Sequence, residues 1–213
     1  MTRDGQDPRS AAAAALRRLG HALVAHDADP ELLWRVAEAA ERVAAEVERR
    51  PRRQRDVAAA VQRLWQTPPA DGARMSHYSG CVVSGAANPL GIGVEVRRDG
   101  DEAVADLRFG PAFEGAPERV HGGAVAAVFD DVMGYVLVLL GVPAYTGRLT
   151  VDYRAAVPVD TPLQVRARLA AREDRKLWMR ASLRPAGGDE ILAEAEALFI
   201  AVPVERLLAQ SRR

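Results

Sequence analysis

The stretch that decides the fold spans residues 120–131 and reads Val120-His121-Gly122-Gly123-Ala124-Val125-Ala126-Ala127-Val128-Phe129-Asp130-Asp131. The chain then stays apolar to Leu140 apart from a glycine. A helix that is apolar all round is typical of a protein core. A carboxylate in such a place is unfavourable unless it is paired or put to use. The first N–H groups of a helix have no partner within it. The stretch therefore predicts a buried acid on a core helix whose first turn could polarise a carbonyl.

Strand patterns flank this helix on both sides. Ile92, Val94 and Val96 alternate with polar residues, Arg98-Asp99-Gly100-Asp101 has the composition of a hairpin turn, and residues 103–109 return. Gly141 and Pro143 are typical helix terminators. Four extended segments follow, at 146–156, 162–173, 176–185 and 189–202. This order predicts an α+β fold in which an antiparallel sheet wraps round one long central helix.

The first third of the chain has helical patterns instead. Ser10 is a candidate cap of a first helix, and Asp29-Pro30 is a favourable start for a second. Pro51 begins a third candidate segment with an apolar stripe, made of Val57, Val61, Leu64 and Trp65. The Pro- and Gly-containing stretch 67–72 is the clearest linker. We therefore predict a helical extension and linker at 1–70 and a main domain at 71–213.

Composition limits the classes of function. The formal net charge is zero, which argues against a nucleic-acid or membrane-surface protein. Lys176 is the only lysine, so arginine carries nearly all the positive charge. The apolar run 132–142 is shorter than the ~20 residues that span a bilayer. The single cysteine, Cys81, fits a reducing compartment and a structural role. The four histidines lack metal-ligand spacing. We predict a cytoplasmic protein without a metal.

These motifs together resemble the hotdog-fold acyl-CoA thioesterases, in particular the phenylacetyl-CoA and the medium- and long-chain acyl-CoA types. The signature of that family is His-Gly-Gly with an acid nine residues after the histidine, which is Asp130 here. The resemblance covers roughly residues 75–203. It extends to flanking motifs that begin at Asn88-Pro89-Leu90-Gly91, Phe113-Glu114-Gly115, Thr146-Gly147-Arg148 and Val157-Pro158-Val159. It implies a hotdog fold and hydrolysis of an acyl-CoA to free acid and CoA. Coenzyme A is then part of the substrate, and no cofactor is needed.

The signature also suggests roles for single residues. Asp130 is the candidate general base or nucleophile, whereas Asp131, ~100° further round the helix, is interpreted as a salt-bridged or interface acid. The N–H groups of Gly122 and Gly123 are candidate donors to the thioester carbonyl, although two glycines also suit a tight turn. In the family, His121 shapes the turn or the site, so we rank it as secondary. The resemblance gives Thr146 the task of orienting the water; an ordinary strand residue is the alternative.

The distance between Gly122 and Asp130 bears on the oligomeric state. Gly122 and Asp130 are eight residues apart, which is ~12 Å along a helix. A general base works within ~3 Å of its proton, directly or through one water. Two antiparallel copies of the helix would bring Gly122 of one chain to Asp130 of the other. The resemblance implies the same shared sites, and we expect a homodimer or homotetramer.

Other features stay open in the sequence. Arg148, Arg154, Arg175 and Lys176 are candidates to bind the CoA phosphates. Some family members carry Asn or Gln in the loop where Glu114-Gly115 stand here, so the polar partners of the site differ. The N-terminal helices need a cover for their apolar stripes, either the main domain or a partner chain. They are interpreted as an oligomer-stabilising arm or a lid, without a catalytic group.

Two other functions fit the resemblance. A hotdog acyl-CoA hydratase or dehydratase usually pairs its aspartate with a histidine a few residues on, and no histidine follows Asp130. A non-catalytic acyl-CoA-binding module would keep the pocket and lose the acid, which is present here. The thioesterase is therefore the favoured hypothesis.

Overall fold

The computed structural model describes residues 7–54, 59 and 67–205. Two helices, α1 (Pro8–Ala25) and α2 (Pro30–Glu48), occupy the N-terminal third. Residues 51–54 have no regular structure. The third helical segment predicted after Pro51 has its apolar stripe outside the described residues. The division at residues 70 and 71 stays a prediction.

The caps of the two N-terminal helices are local. Asp29 caps α2 as predicted, with its Oδ1 accepting from the N–H of Leu32 at 2.8 Å. The prediction for α1 was wrong by three residues, because Asp7 is the cap and Ser10 is its partner. The Asp7 carboxylate accepts from both the N–H and the hydroxyl of Ser10, at 3.0 and 2.7 Å. An acid accepts more strongly than a hydroxyl, which explains the earlier start.

A seven-stranded antiparallel sheet forms the main domain, in the order β1-β2-β3-β7-β8-β9-β6. Gly100, with φ of +59°, makes the predicted turn between β2 and β3. Two short strands, β4 and β5, pair separately before the central helix. The strand bounds are β1 Arg74–Met75, β2 Glu95–Asp99, β3 Glu102–Leu107, β4 Glu114–Ala116, β5 Arg119–Val120, β6 Ala144–Tyr153, β7 Leu163–Glu173, β8 Lys176–Pro185 and β9 Ala193–Ala201.

The central helix α3 (Gly122–Leu140) lies against this sheet. Nine of its residues are buried, among them Phe129, Met133 and Tyr135. Gly141 ends it in the left-handed region, with φ of +63°. With 19 residues it is long and apolar enough to span a membrane by length and composition, which corrects the shorter run read from the sequence. Its packing against six strands is that of a core helix. The predicted α+β arrangement is confirmed.

Helix α1 packs on the loops that precede α3. Arg17 donates to the carbonyls of Ala86 and Asn88, at 3.2 and 2.6 Å. His21 Nδ1 accepts from the N–H of Ala112 at 3.1 Å. Helix α2 has no buried residue, and Trp34 is 70% exposed. The N-terminal helices therefore contact the main domain through α1.

Strand β6 is one edge of the large sheet. It has ten residues and pairs, within the described chain, with β9 alone. None of its residues is fully buried. A long exposed edge presents a row of unpaired backbone groups, which natural sheets usually cover. The open side of β6 is therefore where another element is expected.

Candidate active site

Asp130 and Thr146 meet at this open edge. The Thr146 hydroxyl donates to Asp130 Oδ1 at 2.7 Å, joining α3 to β6 across sixteen positions of sequence. Asp130 is half-buried, so it is more accessible in a single chain than the apolar run around it suggested. One carboxylate oxygen is thus oriented by a hydroxyl while the group stays in reach of water.

A bulge in β6 sets the position of Thr146. The register with β9 shifts between Thr146 and Arg148, so Gly147 is the extra residue. A Cβ on Gly147 would lie 3.3 Å from the Leu198 carbonyl and the Ile200 side chain. Bulges bend a strand and re-aim its side chains, and they are common beside active sites. The extra residue puts Thr146 on the same face of β6 as Leu149 and Tyr153, because their partners in β9 are all buried.

The first two N–H groups of α3, those of Gly122 and Gly123, differ in whether they have a hydrogen-bond partner. His121 is the cap residue, and its Nδ1 accepts from the N–H of Gly123 at 2.9 Å. Nδ1 is thus the unprotonated nitrogen, and the ring proton is on Nε2. The Gly122 N–H has no acceptor among the residues that the structure describes. The prediction gave both glycine N–H groups to the substrate, but in this structure only the Gly122 N–H is available.

A cavity of about 560 Å³ opens beside this turn. The Tyr153 hydroxyl, at the end of β6, donates to the Gly122 carbonyl at 2.7 Å. The cavity wall is mostly small and apolar, with two arginines, and its lining includes Ala116, Arg119, Val125, Arg154, Ala155 and Ala156. Sequence reasoning missed Arg119 and Tyr153, although Arg119 stands two residues before the signature histidine.

The four predicted phosphate-binding cations do not come together in one chain. Arg154 lines the cavity and pairs with Glu194 at 3.2 Å. Arg148 lies over the Trp178 ring at 5.5 Å. Arg175 and Lys176 lie at the beginning of β8, near the Thr146 end of β6. Within one chain, Arg154 and Arg119 are the cations at the cavity, and the phosphate-binding role of all four stays a prediction.

Asp131 belongs to a separate buried cluster, made of His77, Cys81, Ser84, Asp131 and Tyr135. Its side chain is 10% exposed, and Oδ1 accepts from the Cys81 thiol at 3.1 Å. The His77 ring stacks on Tyr135, with centroids 3.4 Å apart, and its Nδ1 lies 3.9 Å from Asp131 Oδ1. Asp131 makes no ion pair with a lysine or arginine among the described residues. The salt-bridged alternative for Asp131 was therefore wrong, because its partners come from the loop before β2, and the interface alternative stays a prediction.

Burial favours the uncharged form of the four titratable groups in this cluster, His77, Cys81, Asp131 and Tyr135. It lowers the pKa of His77 to about 4 and raises the pKa of Tyr135 to about 12. Burial also raises the pKa of the Asp131 carboxyl, an effect that hydrogen bonds from Cys81 and Ser84 oppose. The pKa of the Cys81 thiol is raised for the same reason. His77 is thus neutral near pH 7, so its contact with Asp131 is not an ion pair.

This cluster predicts a specific pH dependence of stability. A histidine whose pKa falls from 6.5 to about 4 on folding stabilises the fold fully above pH 6.5, and this contribution is lost as the pH falls towards 4. The full difference is about 3 kcal/mol. His77→Phe keeps the stacking ring, so its free energy of unfolding is expected to fall less than that of the wild type between pH 6.5 and 4. Urea unfolding across this range measures it.

Asp131 supplies the control with the opposite sign. Because the pKa of Asp131 is raised in the folded state, its contribution to the free energy of unfolding falls as the pH rises above 3.8. Asp131→Asn removes this opposing effect, so acidification is expected to destabilise that variant more steeply than the wild type. Parallel stability curves for the wild type and His77→Phe would show that His77 does not titrate in this way.

Comparison with known proteins points to one superfamily. Residues 118–192, which include α3 and the Asp130–Thr146 pair, match the model of the thioesterase superfamily. Residues 118–192 are thus similar to the thioesterase superfamily, and the domain that contains them has the hotdog fold. A solved structure of a thioesterase superfamily protein is 25% identical, with a TM-score of 0.74 over 92% of both chains. That coverage means that the similarity extends into the N-terminal helices.

Two curated relatives are acyl-coenzyme A thioesterases. The chain is 27% identical to THEM4 of Bos taurus over 124 residues, which is 57% of this chain and 51% of that protein. It is 32% identical to THEM4 of Mus musculus over 105 residues, which is 49% of this chain and 45% of that protein. The chain thus matches about half the length of these relatives. The predicted resemblance to thioesterases and the predicted hotdog fold are confirmed.

Proposed function

We propose that this protein hydrolyses acyl-CoA thioesters to a free acid and CoA. The observation that carries the proposal is the 2.7 Å hydrogen bond between Thr146 and Asp130 at the open edge of the sheet. It gives a carboxylate of fixed orientation that stays accessible to water. The two relatives named acyl-coenzyme A thioesterases support the same class of substrate.

The reaction follows from the groups at the site. Asp130 takes a proton from a water whose oxygen attacks the thioester carbonyl carbon. The carbonyl oxygen becomes an oxyanion, which the Gly122 N–H stabilises together with the positive end of the helix dipole. The C–S bond then breaks, and the proton passes from Asp130 to the departing CoA sulfur. One water and one thioester give one acid and one thiol.

In our proposal one chain supplies the Gly122 N–H, and a second chain supplies Asp130 and Thr146. The ~12 Å between Gly122 and Asp130 along α3 is too long for one thioester. The exposed edge of β6, with Thr146 on it, lies where a second copy would pair. A homodimer, alone or within a homotetramer, would place the cavity beside Gly122 of one chain against Asp130 and Thr146 of the other.

The same arrangement suggests where coenzyme A binds. Arg119 and Arg154 line the cavity beside Gly122, and an arginine suits a phosphate through paired N–H bonds. Arg175 and Lys176 lie near the Thr146 end of β6, which the partner chain would bring towards the same site. The rest of the cavity lining is mostly small and apolar, which leaves room for an uncharged part of the substrate.

A panel of acyl-CoA esters with different chains, assayed with a thiol-reactive dye, tests the function. We expect many equivalents of free CoA per protein chain from at least one ester. The protein itself contributes at most one thiol, Cys81, so multiple turnovers are unambiguous. Loss of enoyl-CoA absorbance without release of thiol would indicate a hydratase instead. Binding of the esters without either reaction would indicate a binding module.

A further inference from the structure

The peptide between Gly122 and Gly123 is held at both ends. Its carbonyl accepts from the Tyr153 hydroxyl at 2.7 Å, and its N–H donates to His121 Nδ1 at 2.9 Å. Because a peptide unit is planar, two bonds to opposite sides fix its rotation. The preceding peptide, which carries the unpaired Gly122 N–H, is joined to it at the Gly122 Cα. The orientation of the candidate oxyanion donor therefore depends on both contacts.

The Tyr153 bond is additional to what the helix needs. In a regular α-helix the carbonyl of the first residue accepts from the N–H four residues on, so the Gly122 carbonyl is already provided for. Two successive glycines are the most flexible way to begin a helix. The Tyr153 hydroxyl is a second donor from outside the helix, and it restricts a turn that two glycines would otherwise leave flexible.

Tyr153 is also placed where such a restraint would matter. It is the last residue of β6, it is 51% exposed, and it lines the same cavity as Gly122. A Cβ added to Gly122 would lie 3.1 Å from the Tyr153 oxygen, which shows how closely the ring approaches the turn. A phenylalanine ring could pack in the same place, so packing alone does not explain why this residue carries a hydroxyl.

We propose that Tyr153 is a positioning residue that holds the first turn of α3 so that the Gly122 N–H points into the cavity. This inference rests on the proposed hydrolysis for its effect on rate, since a donor that is oriented in advance stabilises an oxyanion without reorganising. It assigns to Tyr153 no contact with the reacting atoms. The phenol acts only through the backbone of Gly122 and Gly123.

Tyr153→Phe tests the proposal through a split between kcat and KM. We expect kcat to fall by about tenfold, since the donor is kept but less well oriented, while KM changes by less than twofold. A kcat within twofold of the wild type would overturn the proposal. So would a rise in KM with kcat unchanged, which would make Tyr153 a binding residue instead.

A double-mutant cycle separates positioning from a merely structural role. Gly122→Pro removes the N–H that Tyr153 is proposed to orient. In that background Tyr153→Phe is expected to change kcat by less than twofold, because no donor is left to position. A further tenfold loss in the double variant would show that Tyr153 acts elsewhere.

Amide hydrogen exchange keeps this inference distinct from the proposed function. Tyr153→Phe is expected to speed exchange at Gly123, whose N–H is paired with His121, by at least tenfold relative to the wild type, with amides in β8 unchanged as the internal control. Unchanged exchange at Gly123 would overturn the positioning role even in an active enzyme. Faster exchange in a protein that hydrolyses no acyl-CoA would support the restraint and reject the hydrolysis.

Discussion

Asp130→Asn is expected to lower kcat for acyl-CoA hydrolysis by about 10²–10⁴-fold, the usual effect of losing a general base. The amide has nearly the same shape as the carboxylate, and its oxygen can still accept from the Thr146 hydroxyl. It cannot take a proton from water. Steady-state release of CoA thiol, with the melting temperature of the same sample, measures the loss of activity in a folded protein.

Asp131→Asn is the matched control for this variant. The two acids are neighbours in the chain, but Asp131 lies in the buried cluster with His77 and Cys81, away from Thr146. We expect its effect on kcat to be less than tenfold. Near-wild-type turnover by folded Asp130→Asn, or an equally large loss in Asp131→Asn, would show that Asp130 is not the base.

Gly122→Pro is expected to lower kcat by about 10²–10³-fold, because proline has no N–H to offer the oxyanion. The helix itself should survive. Proline is favoured at the first helical position, and His121 already has the extended conformation, with ψ of 129°, that a residue before proline requires. The measurement is the same thiol-release assay.

Gly122→Ala is the control that separates the N–H from the new side chain. Both substitutions place a Cβ 3.1 Å from the Tyr153 oxygen, so they share the crowding at that atom. Only proline removes the donor. Alanine should therefore keep more than a tenth of the wild-type kcat. Equal losses in the two variants would assign the effect to crowding at Tyr153 and not to the missing N–H.

The regular elements could be predicted from the sequence because their signals are local. The hairpin at Gly100, the cap at Asp29 and the end of the helix at Gly141 each depend on a few neighbouring residues. The segment 176–185 was predicted with the bounds that β8 has. The apolar run after His121 predicted a core helix for the same reason, since burial on all sides leaves a direct mark on composition.

The parts of the site that were missed depend on contacts between distant segments. The Tyr153 bond to Gly122 spans 31 residues, and the Cys81 bond to Asp131 spans 50. The spacing of apolar residues along the sequence does not indicate contacts between such distant segments. Asp130 and Asp131 are adjacent in an apolar run, so the pattern could not show that Asp131 is the more deeply buried acid. The pairing of the Gly123 N–H with His121 depends on a side-chain rotamer that sequence does not specify.

Subunit complementation is the measurement that tests the central claim most directly, namely that Gly122 of one chain and Asp130 of another serve one thioester. Asp130→Asn and Gly122→Pro chains are each expected to be nearly inactive alone. Mixed in equal amounts and allowed to exchange, they should regain roughly a quarter of wild-type activity. Random pairing makes half of the dimers mixed, and each mixed dimer holds one intact site of two. No recovery in a sample that mass spectrometry shows to contain mixed dimers of folded chains would contradict the account.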